Sequence, residues 1–155
     1  MGATETRAGF AALGPRLGAL RVRSEAISGT VSRGTLTISA AQASLISLRD
    51  TGRQSQLSVE EKATLDDVGL PLLGAATRFA ALANCVANAL AANGIELQAE
   101  FDAAFAAADI PRCAEAIAVM EQQTSEMEAR LENDGGPLLE LVNGIGQELT
   151  ALDRH

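Results

Sequence analysis

The chain has 155 residues, 47 % of them apolar, and a formal net charge of −8. That length fits one domain with a real core. The acidity argues against nucleic-acid binding by the whole chain. Two cysteines are too few for a disulfide scaffold. No run of 18 uninterrupted apolar residues offers a spanning helix. Trp and Tyr are absent and Phe occurs four times, so Ala, Leu, Ile and Val must do the packing. Such small side chains favour close helix–helix contacts.

Charge is divided along the chain. Residues 1–53 carry seven arginines against three acids, a net of +4, while the rest carries five basic side chains against seventeen acids, a net of −12. An Arg-rich segment and an acidic body can meet within one chain or between neighbours.

In the first third, Phe10, Leu13, Leu17, Leu20 and Ile27 fall at helical spacing, with Ser24 filling the register. Gly14-Pro15 predicts a kink or break. Thr30–Ile38 is the one β-like stretch and is read as an extended connector, with a small hairpin around Arg33-Gly34 as the alternative. Residues 1–37 are therefore expected to form a basic N-terminal arm, and residues 38–155 a helical bundle. The arm's Arg-, Ser- and Ala-rich composition also fits a transit segment.

Ser39 caps a helix to about Asp50, with Ala41, Leu45 and Leu48 inward. Ser58 and Glu61 form a capping box for a helix to about Val68. The next helix runs from about Pro71 to Asn93, with a stripe at Leu72, Ala76, Phe79, Ala83, Val86 and Leu90, and Gly94 as its stop. No charged residue occurs from Phe79 to Ile95. A helix this bare is expected to be buried on every side, or to bury a face against another subunit. Phe79, Ala83, Val86 and Leu90 are its candidate interaction residues.

A short helix follows over about Glu96–Ala108. From Ile110 a heptad series runs through Cys113, Ile117, Met120, Thr124, Met127 and Leu131. Ile117, Met120, Met127 and Leu131 are the candidate interaction residues of that seam. Asp109 is the N-cap, and Asn133-Asp134-Gly135-Gly136 is the predicted stop. The last helix runs from near Pro137 to Leu152, with Leu138, Val142, Ile145, Leu149 and Leu152 on one stripe. The expected fold is all-α: a bundle of about five or six antiparallel amphipathic helices with a basic helical arm.

Catalytic chemistry is hard to find. The single His is His155, so no internal Ser–His or Cys–His pair can be built. Cys85 and Cys113 read as buried thiols, and without a CxxC motif they do not suggest zinc. There is no inward Glu-x-x-His motif for a di-metal site. Gly144-Ile145-Gly146 lacks the strand and third glycine of a dinucleotide loop. No catalytic residue, metal or cofactor is expected.

Arg16, Arg21 and Arg23 form the basic cluster of the arm. Salt bridging to the acidic body is the first reading. Contact with anionic lipid or nucleic acid is the second, and no aromatic interleaves to stack on bases. The functional expectation is a non-enzymatic structural or protein-interaction module, cytoplasmic, assembling with itself or another helical protein. The alternatives are a peripheral membrane- or nucleic-acid-associated protein using the arm, and a small-molecule carrier between Ala-rich helices.

Overall fold

The computed structural model describes residues 3–153, so His155 lies outside the described residues. Among the described residues six α-helices follow one another: α1 (Ala3–Leu48), α2 (Thr51–Gln54), α3 (Val59–Ala92), α4 (Gln98–Ala106), α5 (Ile110–Arg130) and α6 (Gly136–Asp153). Two π segments, Asn93–Leu97 and Leu131–Gly135, join α3 to α4 and α5 to α6 without a break. Among the described residues there is no strand, and the fold is all-α.

The helix breaks expected in the first third do not occur. Pro15 lies inside α1. An interior proline costs a helix about 3 kcal/mol. Gly14 reduces the local clash, because it has no Cβ to meet the proline ring. Residues 30–38, expected as a connector, are helical. The physical reason is a stripe that never stops: Phe10, Leu13, Leu17, Leu20, Ser24 and Ile27 continue through Val31, Gly34, Ile38, Ala41, Leu45 and Leu48 at alternating steps of three and four, each buried or half-buried. Packing along that stripe overrides the β tendency of Thr and Val. Thr35 and Thr37 donate their hydroxyls to the carbonyls of Val31 and Arg33, which satisfies both within the helix. The expected boundary at 37/38 therefore falls inside α1.

The capping box is present: Glu61 N–H donates to Ser58 Oγ at 3.1 Å, and Ser58 N–H to Glu61 Oε1 at 3.0 Å. The helix it opens continues through Pro71, so the two helices expected over 58–93 are one. Gly94 and the Asn133–Gly136 run also fail as stops. Each falls in or beside a π segment. The burial pattern explains both segments. On the α5–α6 side, Met127, Leu131 and Gly135 are buried at two successive steps of four. On the α3–α4 side, half-buried Ala89, Asn93 and Leu97 and buried Phe101 make three such steps. A run of fours needs more residues per turn than the 3.5 of a heptad seam, and a wider turn supplies them.

The chain divides into two compact units. The first contains Met1–Gly29 and Asn84–Arg130. Its core joins Leu13 and Leu20 of α1 to Phe101 and Ala104 of α4 and to Cys113, Ile117 and Met120 of α5. Phe10 packs on Phe105 with ring centroids 4.8 Å apart. α4 and α5 are joined by a tight turn. Asp109 N–H donates to Ala104 O at 2.9 Å, and Arg112 N–H to Asp109 Oδ1 at 3.2 Å, so Asp109 caps α5 as expected.

The second unit contains Thr30–Ala83 and Leu131–His155. Its core joins Ile38, Leu45 and Leu48 of α1 to Leu65, Leu72 and Phe79 of α3 and to Val142, Ile145 and Leu149 of α6. Burying each such side chain is worth roughly 1.5–3 kcal/mol. Gly34 faces the Phe79 ring: a Cβ on Gly34 would lie 2.3 Å from Phe79 Cζ. Glycine there lets α1 come close enough to cover the ring.

Candidate interaction surfaces

The basic cluster is divided in its use. Arg16 Nη2 donates to Glu121 Oε1 at 2.5 Å. Arg23 donates to Glu128, and also to Ser125 Oγ at 2.9 Å. Each arginine is seven residues from the other, and so is each glutamate. The pairs therefore climb α1 and α5 in the same direction, so those helices run parallel within the first unit. The hydrogen bonds from Arg16 and Arg23 hold the Glu121 and Glu128 carboxyls below the ordinary carboxylate range. The same bonds raise both guanidinium groups above their usual value. Arg21 is exposed and forms no ion pair among the described residues.

Most of the interaction residues read from the sequence pack inside the chain. Phe79 and Val86 are buried, and Ala83 and Leu90 half-buried. Ile117, Met120, Met127 and Leu131 are all buried. α3 is also not buried on every side. Opposite its inner stripe runs an exposed one at Val59, Ala63, Asp66, Leu70, Leu73, Thr77 and Ala80. These positions alternate steps of four and three, the spacing of a coiled-coil seam. Leu70 is 79 % and Leu73 58 % exposed, and Asp66 is the stripe's one charged member. The same helix continues past residue 83 with exposed Asn84, Ala87 and Ala91, again without charge. The charge-free stretch of the sequence, Phe79 to Ile95, overlaps the exposed stripe only at Ala80. The stripe's small and polar members hid the heptad.

A groove of about 490 Å³ in the second unit borders the stripe. Exposed Ile46 of α1 lies along it with Leu70 and Leu73, and the Arg49 guanidinium rests over Gly69. In the first unit a groove of about 550 Å³ has Leu17, Leu20 and Met120 on its wall beside Ser24, Asn93 and Thr124. Asn93 Oδ1 is buried there without a hydrogen-bond partner among the described residues.

The two cysteines differ. Cys113 is buried, and burial pushes its thiol pKa up. Cys85 is exposed, contrary to the expectation of two buried thiols, and its Sγ accepts from Arg130 Nη1 at 2.7 Å. It lies on the outward-turned part of α3, where the sequence had suggested burial. Among the described residues no group of three His, Cys, Asp or Glu side chains gathers as a metal site.

By length and composition alone, the helical run Val59–Ala106 is long and apolar enough to cross a membrane. The expectation of no spanning segment rested on uninterrupted apolar residues. This run passes on mean hydropathy, with 28 % of the critical window buried in the fold. Comparison with protein-family models, with curated proteins and with solved structures finds no match.

Proposed function

We propose that this chain is a non-enzymatic helical interaction module: a bundle of amphipathic helices that self-assembles or docks another helical protein. The observation that carries the reading is the exposed heptad stripe of α3, Leu70 and Leu73 at its centre. Exposed large side chains at seam spacing on a helix face mark a surface that another helix covers. The absence of an internal histidine supports the non-enzymatic part. The pairing of Arg16 and Arg23 with Glu121 and Glu128 counts against the alternative in which this cluster binds lipid or nucleic acid, since two of its three cations are already engaged.

The test is the native mass of the chain in extracts of cells that produce it. Wild type is expected to elute above the mass of one copy, and Leu70→Glu to elute at that of one copy. Identical elution of both as single copies overturns the reading.

A further inference from the structure

We propose that the outer stripe of α3 in the second unit is covered by a second copy of the same chain, packed antiparallel about a two-fold axis between Leu70 and Leu73. The proposal rests on reading that stripe as an interaction surface, and it names the partner and the register.

The pattern is self-complementary. A two-fold axis perpendicular to the helix makes the same patch meet itself reversed. With Leu70 of one copy opposite Leu73 of the other, Ala63 faces Ala80 and Asp66 faces Thr77. Large meets large at the centre, and Ala63 meets Ala80 two steps out. Thr77 is already fit for burial, because its hydroxyl donates to Leu73 O at 2.9 Å. Thr124, buried in the inner seam of α5, uses the same device with Met120 O at 2.7 Å. The Thr77 oxygen thus enters an interface with its donor satisfied. Gly74 flanks the stripe, and nothing lies within 4 Å of where its Cβ would be, so two backbones can approach closely.

Charge selects both the occupant and the direction. The patch has Asp66 and Asp67 towards one end, where Glu60 and Lys62 beyond them offset each other, and a cation, Arg78, towards the other. All five are exposed, and none forms an ion pair among the described residues. A parallel, in-register pairing sets acid on acid and Arg78 on Arg78. The antiparallel pairing instead brings the two acids of each copy level with Arg78 of the other, twice by symmetry. A helix docked from an unrelated protein has no need of this reversal. A copy of the same chain meets it without any further requirement.

The experiment is light scattering on a sizing column with the purified full chain over a concentration series. Wild type is expected at twice 16.0 kDa. Leu70→Glu/Leu73→Glu is expected at one copy, with an unchanged helical circular-dichroism signal because both positions are exposed. Asp66→Arg/Asp67→Arg is expected to weaken the dimer by about tenfold, and adding Arg78→Glu to this variant to restore it. A wild type that is monomeric at every concentration overturns the proposal. It leaves the interaction-module reading standing if Leu70→Glu still lowers the mass seen in extracts. A dimer that survives Leu70→Glu/Leu73→Glu, or an Arg78→Glu addition that weakens binding further, also overturns it.

Discussion

The Arg23 guanidinium is bonded to the Glu128 carboxylate one heptad beyond the bond from Arg16 to Glu121. This repeat fixes how α1 and α5 are aligned in the first unit, since sliding either helix by one turn unpairs both arginines. Each pair is about one-third to two-fifths exposed, and pairs of this kind contribute roughly 0.2–1 kcal/mol. Arg16→Glu/Arg23→Glu places like charges together twice. It is expected to lower the stability of the chain by about 1–2 kcal/mol. Adding Glu121→Arg/Glu128→Arg is expected to recover most of the loss. Urea unfolding followed by circular dichroism reads both steps.

The same pairs predict a pH dependence. The Glu121 and Glu128 pKa values are lowered on folding, chiefly by the arginine hydrogen bonds. Folding therefore favours their ionised forms. The stabilisation is fully present above the ordinary carboxylate value of 4.5 and disappears as pH falls through the lowered values. Glu121→Gln/Glu128→Gln should melt below wild type at neutral pH, and the gap should close as pH drops below 4.5. A gap that stays constant to low pH would show that the carboxylates do not titrate against folding.

Glycines in α1 should respond with opposite sign. Gly18 is exposed and an added Cβ meets nothing within 4 Å, so Gly18→Ala is expected to stabilise by up to about 1 kcal/mol. Gly34 is buried against Phe79, itself 2 % exposed. The same propensity gain is there outweighed by overpacking, roughly 1–3 kcal/mol. Gly34→Ala is therefore expected to lower the melting temperature. Phe79→Leu, which shortens the ring, should make the Gly34→Ala step less costly, a coupling that a double-mutant cycle measures.

How much of this was legible depends on what each residue shows. Phe10 to Ile27 and Ala41 to Leu48 are plain heptads, and the capping box at Ser58 and the cap at Asp109 are plain too. Val31, Gly34 and Ile38 join the two stripes of α1 at unchanged spacing. They escaped because glycine at a seam position carries no apolar signal and the surrounding Thr and Val residues favour strand. Gly94 and Gly135-Gly136 look like stops, since local rules do not register a helix that widens for a change of seam step. The spacing of seven between Arg16 and Arg23 and between Glu121 and Glu128 is visible in one dimension. Which glutamate meets which arginine depends on long-range alignment. For α3 the charge-free stretch from Phe79 to Ile95 pointed to a second partner, but it lies beyond most of the exposed stripe, whose members Ala63, Asp66, Thr77 and Ala80 do not stand out as a seam.

The cysteines give a direct check of which side of α3 is open. Cys85 is exposed and Cys113 fully buried. One thiol per chain is expected to react quickly with an aromatic disulfide reagent in the native state, and the second only on adding denaturant. Cys85→Ala should abolish the fast phase and leave the slow one. Two fast thiols would mean that α5 opens readily around Cys113.

The turn between α4 and α5 holds a strained residue. Ala108 has φ 54°, the left-handed region, and it ends α4 with Asp109 N–H donating back to Ala104 O at 2.9 Å. This is the helix-ending geometry that glycine usually serves, and an L-side chain there costs roughly 1–2 kcal/mol. Ala108→Gly removes the clash between Cβ and the backbone. It also adds freedom to the unfolded chain, which offsets part of the gain by about 0.4–1 kcal/mol. The expected net effect is stabilisation by up to about 1 kcal/mol, seen as a higher urea midpoint with an unchanged slope. Ala108→Val, whose branched side chain tolerates positive φ even less, should move the midpoint the other way. A midpoint lowered by glycine would place Ala108 outside the left-handed region in solution.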